Sequence, residues 1–361
     1  MEISRDKISM RQATIFFMLA LGAPSLRIIP NYIAHAAGKA VWVSAIIGLV
    51  PALLLVWVIA TLFKKNEGSL YDIYEKIFGK TINKIITAIY AIWTLCLSGL
   101  YLRMFGERFL NTILHSASLI AISIFMLAFI YFIVNEKIDV IGRMCEILIF
   151  FFIGIVLLVF FIILPQIEVE NIWPVTYYDT WPILKGAVPF TTLSCYITAL
   201  MFLGDKINDV KNVMKNGVVA MIVWSALSII LILSTVGIFG YKLNEQLLLP
   251  YFTTLQNIKI LDTVERMESL FISTWIATDV VIITLFTLIT LNLIKRLFNA
   301  KSHKKFSIWV IIATLIIALT FAPNAYVAEA VARIYVAPIN IALFVAVPVI
   351  ALIVGKIRRI V

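Results

Sequence analysis

The sequence predicts an all-α membrane protein with ten transmembrane helices, and three observations carry that expectation. The 361 residues are 62% hydrophobic and only 14% charged, with a mean hydropathy of +1.02, where a soluble domain is about 45–50% apolar and about 25% charged. Apolar stretches recur along the whole chain at the roughly 20-residue length that crosses a hydrocarbon core. Basic residues gather on alternate connections between those stretches. A soluble globular enzyme is excluded by composition. Nucleic acid is excluded as a partner, because the +10 charge marks membrane topology rather than a binding patch.

The first apolar window, 12–36, follows the polar segment Met1–Arg11 directly. No short apolar core ending in small residues separates them, and a second span follows closely, so this segment is not expected to be a cleaved leader. After the second window, 41–63, comes Ser69–Gly79, with Leu70, Ile73, Tyr74 and Ile77 at helical spacing behind a capping serine. This predicts a short amphipathic helix at the membrane surface. Windows 84–110, 119–134 and 143–164 complete a first half. The connection 165–183 carries Trp173, Tyr177, Tyr178 and Trp181, the composition of an interfacial belt. Windows 184–204, 217–241, 270–294, 307–322 and 337–355 form a second half.

Counted by side, most of the 30 basic residues share the face of the N-terminus, in groups such as Arg5, Lys7 and Arg11, Lys64 to Lys84, and Lys295 to Lys305. The opposite face keeps Lys39, Arg103, Arg108, Lys185, Lys242, Lys259, Arg266 and Arg333. The positive-inside rule therefore predicts both termini in the cytoplasm and an even number of spans. One transmembrane domain covers 1–361, with repeats at about 12–164 and 184–355. The first span of one half runs outward and that of the other inward, so the halves are expected to be inverted.

Nothing in the sequence asks for catalysis. His35, His115 and His303 fall at span ends or in connections, whereas a membrane hydrolase or acyltransferase needs one at depth. Asp205 lies at a span end and Asp279 near mid-membrane, so they do not form the facing pair of an intramembrane protease. Cys96, Cys145 and Cys195 stand singly, and no phosphate loop, metal spacing or cofactor motif is present. The protein is not expected to be an enzyme.

Helix interruption is the informative feature. The first span contains Leu21-Gly22-Ala23-Pro24-Ser25 and then Pro30, and the sixth contains Gly186, Pro189, Thr191, Thr192 and Ser194. Proline removes a backbone donor and glycine tolerates unusual dihedrals. Matching breaks in two inverted halves mark a transporter-type binding site.

Several local sequences resemble the B subunits of spore germination receptors, the endospore germination permeases of the amino acid–polyamine–organocation superfamily. They are Ile8-Ser9-Met10-Arg11-Gln12, the small-residue break ending at Pro30, Ala40-Val41-Trp42-Val43-Ser44 and Ser69-Leu70-Tyr71. Further along come Trp173-Pro174-Val175 and Glu265-Arg266-Met267-Glu268-Ser269 leading to Trp275. The resemblance covers essentially the full length. It implies a LeuT-like 5+5 inverted repeat with a small-molecule pocket among spans 1, 3, 6 and 8. It also implies a place in the spore inner membrane beside an A-type subunit and a lipoprotein C-type subunit. The germinant would be an amino acid, sugar or nucleoside, sensed by binding. An active amino-acid permease or exchanger of the same fold is the alternative. Many relatives carry Gly-x-Glu in span 6, where this chain has Tyr196-Ile197-Thr198.

The expected ligand-binding set is Gly22, Ala23, Pro24 and Ser25 in span 1, and Leu97 and Tyr101 in span 3. Thr191, Ser194, Tyr196 and Thr198 supply it from span 6, and Asp279 and Ile282 from span 8. Arg27 and Asp279 are the charges deepest in the membrane, roughly 22 Å from the cytoplasmic end of span 1 and roughly 14 Å from the outer end of span 8 at 1.5 Å per residue. In a LeuT-like arrangement spans 1 and 8 adjoin, so these two are expected to form an intramembrane charge pair.

Overall fold

The computed structural model describes residues 6–361 apart from His115, Leu248, 258–264 and Pro323, and describes no side chain for Arg27, Ile28, Asn257, 265–270 and Ala325. Helices fill it in the order α1 (Met10–Ala20), α2 (Gly22–Ala37), α3 (Val41–Lys64), α4 (Leu70–Phe78), α5 (Lys80–Thr112), α6 (Leu119–Asn135) and α7 (Ile138–Ile163). There follow α8 (Val169–Ile172), α9 (Thr180–Ser194), α10 (Tyr196–Leu200), α11 (Val213–Asn244), α12 (Pro250–Asn257) and α13 (Glu265–Leu297). The chain ends with α14 (Lys304–Thr320), α15 (Ala325–Val331), α16 (Ala337–Asn340) and α17 (Val347–Ile357). Each apolar window falls on helix. Seven stretches are long and apolar enough to cross a membrane among the described residues, and Leu119–Asn135 is a shorter apolar helix.

The distribution of polarity is that of a membrane protein. Large apolar side chains point outward, as Phe125, Phe150 and Trp309 do at 81%, 73% and 69% exposure. Polar ones turn inward: α13 buries Thr278, Asp279, Thr284, Thr287, Thr290 and Asn292. Hydrocarbon offers these groups no partner, so a helix carrying them must lie inside the bundle. There Thr290 shares a hydrogen bond with Thr94 of α5 (2.8 Å), and Asn292 donates to the Phe202 carbonyl (2.8 Å).

Local signals account for the helix starts. Ser9 and Gln12 form a capping box at α1, and Ser69 and Asp72 form one at α4, each satisfying amide groups left open by a first turn. Both expected interruptions occur, at Leu21 and at Cys195, and each is a tightened turn of one residue rather than an unwound gap. The amide of Leu21 donates to Phe17 and that of Cys195 to Thr191, while Ser25 and Thr198 donate back to Leu21 and Cys195. The backbone thus remains hydrogen-bonded across each break.

One end of the bundle is tied by polar contacts. Ile8 pairs with Ile207 in an isolated parallel bridge, its amide donating to Lys206 and its carbonyl accepting from Asn208. Arg296 of α13 reaches Asp72 of α4 and Asp205 beyond α10, both at 3.1 Å. Gly204 lies in this region so close to the Gly68 carbonyl that a Cβ would stand 2.5 Å from that oxygen.

Two expectations follow from these contacts. Gly204→Ala meets backbone that cannot rotate away, so it should lower unfolding stability by about 1–3 kcal/mol. Gly154 lies inside α7 with nothing within 4 Å of an added methyl, so Gly154→Ala should raise stability, by up to about 1 kcal/mol, in the same detergent melt. The second concerns His303, whose Nε2–H donates to the Val134 carbonyl (3.2 Å). Burial, with Lys206 nearby, holds its imidazole below the usual histidine pKa. The unfolded chain therefore takes up this proton first. Stability from the neutral ring is complete above about pH 6.5 and falls as the pH drops below it. His303→Gln should flatten that part of a stability-against-pH curve between pH 7 and 5.

Candidate functional site

In an apolar bundle a buried charge needs a partner, because solvation is lost on both sides of the exchange. Asp279 is fully buried on α13 and forms an ion pair with Arg108 of α5. The Arg108 guanidinium lies 4.8 Å from the centre of the Trp275 ring. One turn earlier on α5, Arg103 pairs with Glu107 at 2.5 Å. Arg103 thus bridges within its own helix, while Arg108 reaches across to α13. The expected Arg27–Asp279 pair involves a side chain outside the described residues.

A cavity of about 330 Å³ lies between α2, α5, α9–α10 and the segment 332–337, within the roughly 300–1,000 Å³ of small-molecule sites. Two of its lining residues, Tyr101 and Tyr196, belong to a polar chain that continues behind it. Tyr101 and Tyr196 share a hydrogen bond (2.9 Å), Asn340 donates to the Tyr196 hydroxyl (3.0 Å), and the Trp93 indole donates to the Asn340 oxygen (2.8 Å). Phe286 fixes both tyrosine rings, stacked on Tyr101 and edge-on to Tyr196. Leu100, Met104, Val188, Leu193 and Val336 supply apolar walls. Lys185 and Arg333 bring positive charge to the lining, and both are exposed.

Asn340 can sit there because the helix around it is distorted. Wider π-helical turns, Ala332–Val336 and Ile341–Ala346, flank α16. Such turns displace carbonyls from ordinary helical pairing and are frequent at functional sites. Here the displaced carbonyls are met by neighbours: Tyr90 donates to Leu343, and Thr198 to Phe344 at 2.7 Å.

Of the expected ligand set, the structure brings Tyr101 and Tyr196 together on the cavity, with Thr192 of the sixth-span break beside them. The other members are placed differently. Thr191 donates to Ala187, Ser194 to Phe190, and Thr198 to Phe344; in the first two cases the hydroxyl returns to its own helix. Ser25 donates to Leu21 and accepts from the Trp224 indole (3.0 Å). Gly22 packs so tightly that an added Cβ would lie 2.6 Å from Thr278. Ala23, Pro24, Leu97 and Ile282 are buried in the bundle, and Asp279 belongs to the Arg108 pair. Tyr32, Lys185 and Arg333 were not anticipated at the cavity, nor Trp93 and Asn340 in the polar chain behind it. A lone amide inside an apolar span was the available signal for Asn340. Lys185 and Arg333 had been absorbed into the count of charges by side.

Residues 7–326 match the family described as "Spore germination protein". Among curated proteins, the chain is 22% identical over 327 residues to spore germination protein KB of Bacillus subtilis (strain 168), covering 89% of this chain and 87% of that protein. It is 24% identical over 278 residues to the putative spore germination protein YfkT of the same strain, 75% of each chain. It is also 25% identical to spore germination protein YndE of that strain, over 75% of this chain and 76% of the other.

The Arg108–Asp279 pair makes a direct prediction. Arg108→Met or Asp279→Leu alone strands a buried charge and should cost about 3–5 kcal/mol of stability. The double variant should be damaged less than the sum of the singles in detergent melts. Additive damage would show that the two charges do not stabilise each other.

Proposed function

Because the chain belongs to the spore germination protein family, we propose that this multi-pass membrane protein is a germinant-sensing subunit that takes a small organic ligand into the Tyr101–Tyr196 cavity. The observation that carries the reading is the cavity itself. It is a largely apolar space of small-molecule size lined by the hydrogen-bonded pair Tyr101 and Tyr196, which Asn340 holds from behind. Oriented polar groups at the base of an apolar pocket are what selects a small ligand.

In this proposal ten spans form a LeuT-like 5+5 repeat, with halves 12–164 and 184–355. The tightened turns at Leu21 and Cys195 support it, since they interrupt the first helix of each half. Both termini lie in the cytoplasm, with the protein in the spore inner membrane beside A-type and lipoprotein C-type subunits. The distribution of Lys and Arg supports that orientation. Tyr101 and Tyr196 contact the germinant. Gly22, Ala23, Pro24, Ser25, Leu97, Thr191, Ser194, Thr198 and Ile282 form the supporting layer that sets their positions. The depth of Arg27 and Asp279 in their spans supports their pairing as intramembrane charges. Occupancy would favour one packing of the α16 segment against α9–α10, because Asn340 hydrogen-bonds both the Tyr196 hydroxyl and the Thr192 carbonyl (3.4 Å). A ligand shifts such an equilibrium only through contacts that differ between the two states.

The test is a filled cavity. Val336→Trp should raise the germinant concentration for half-maximal response at least about tenfold, with subunit abundance unchanged. An unaltered dose–response at normal abundance would remove this cavity from sensing. Ligand accumulation in vesicles carrying the subunit alone would favour the permease reading.

A further inference from the structure

The charges lining the cavity are of one sign. Lys185 from α9 and Arg333 from the π-helical turn 332–336 both line it, and its lining contains no aspartate or glutamate. Neither cation has an ion-pair partner among the described residues. Each head instead rests near an aromatic face, Arg333 at 6.0 Å from the Tyr32 ring and Lys185 at 5.6 Å from Trp181. An attraction of that kind at an exposed site is weak, about 0.5–1 kcal/mol, so it leaves both charges available to an anion. Deeper in, the tyrosine hydroxyls are engaged with each other and with Asn340, and Thr192 donates to the Val188 carbonyl (2.9 Å).

A ligand ammonium placed here would lose water, meet no carboxylate and face two like charges. Burying an uncompensated ion is far costlier than burying a neutral polar group. An anionic head at the rim has the opposite balance, with partners on two walls and its apolar body against Leu100, Leu193 and Val336.

We infer that the cavity selects a small amphiphilic anion, with a carboxylate or phosphate head between Lys185 and Arg333 and a short apolar body, and discriminates against a free ammonium. The inference rests on the cavity being the ligand site. It narrows the expected amino-acid-like ligand to one whose net charge is negative. The anion has two sources, a soluble acid or the head group of an anionic lipid. Trp181, Leu184, Ile334 and Tyr335 are exposed beside the rim, as residues facing a membrane interface are.

The experiment uses the full chain in phosphatidylcholine nanodiscs and one six-carbon series: hexanoate, hexyl phosphate, hexanamide, hexylamine and norleucine. Calorimetry should show hexanoate or hexyl phosphate binding at least about tenfold tighter than hexanamide and norleucine, with hexylamine weakest. Added sodium chloride should weaken the anions and spare the amide. In the Lys185→Gln/Arg333→Gln double variant the anions should fall to the affinity of the amide. Both positions are exposed, and an unchanged melting temperature confirms that the fold is kept. Norleucine or hexanamide binding as tightly as the anions would overturn the charge inference while leaving the cavity as a ligand site. So would an anion preference that survives in the double variant. No binding by any probe would remove the cavity reading and this inference with it. Replacing part of the phosphatidylcholine by phosphatidylglycerol separates the sources. Competition with hexanoate, lost in the double variant, identifies a lipid head group; undiminished hexanoate binding identifies the soluble acid.

Discussion

A hydrocarbon surround can satisfy no hydrogen bond, and that single constraint orders the structure. Every hydroxyl, amide and charge within a span must find a protein partner, so the polar groups draw the helices together around them. α13 shows the effect most clearly. Thr290, Asp279 and Asn292 are buried there, and they are met by Thr94, Arg108 and the Phe202 carbonyl. The outward faces carry phenylalanine, isoleucine and tryptophan, which gain nothing from each other in lipid and therefore do not hold the bundle together. Specific polar contacts and close packing at small residues do that instead. Gly22 against Thr278 and Gly204 against the Gly68 carbonyl are examples of the second kind.

The same constraint explains why the cavity has a polar base. An asparagine at position 340 would be costly in a regular lipid-facing span. The π-helical turns on either side accompany its burial against Tyr196, Trp93 and the Thr192 carbonyl. Those turns displace carbonyls, and Tyr90 and Thr198 take them up. Thr198, expected to face ligand, thus holds the helix that carries Asn340. The polar network and the backbone distortion depend on each other.

The helices were legible because a 20-residue apolar run has few alternatives. The capping boxes at Ser9 and Ser69 were equally local, and so was the amphipathic α4. The first interruption falls at the edge of the segment 21–25 named for it, whereas the second lies at Cys195, past Pro189, which is accommodated inside α9. Their form was not legible, because the backbone bonds that cross Leu21 and Cys195 depend on packing as well as on composition. For the site, Tyr101 and Tyr196 could be found from span position. The hydroxyls of Thr191, Ser194 and Ser25 could not be separated from ligand contacts in a sequence, since whether a serine bonds its own helix is set by its rotamer. Arg108 was counted only among the basic residues of the outer face. Its partner lies 171 residues away in the chain, a pairing that no local pattern encodes.

The walls of the cavity are held unequally. α2 is tied to α11 by Asn31, which donates to the carbonyls of Asn244, Glu245 and Leu247, and by Asn244, which donates back to Pro30. α9 is fixed to α3 where Ser44 donates to Ile183 (3.1 Å). Gly186 sits so close behind it that a Cβ would lie 2.4 Å from the Ser44 hydroxyl. α5 is locked by Arg108 and by Arg103, whose guanidinium also reaches the Ala318 carbonyl at 3.5 Å. Across the segment 332–346, the polar ties among the described residues concentrate at Asn340, Leu343 and Phe344. The part bearing Arg333 meets the cavity through the face of Tyr32. One turn before Arg333, Tyr32 also donates to the Glu329 carbonyl (3.4 Å). A charge arriving between Lys185 and Arg333 would act on that wall first. Asn340, less than two turns further along the same segment, is where such a shift would reach the Tyr196 network.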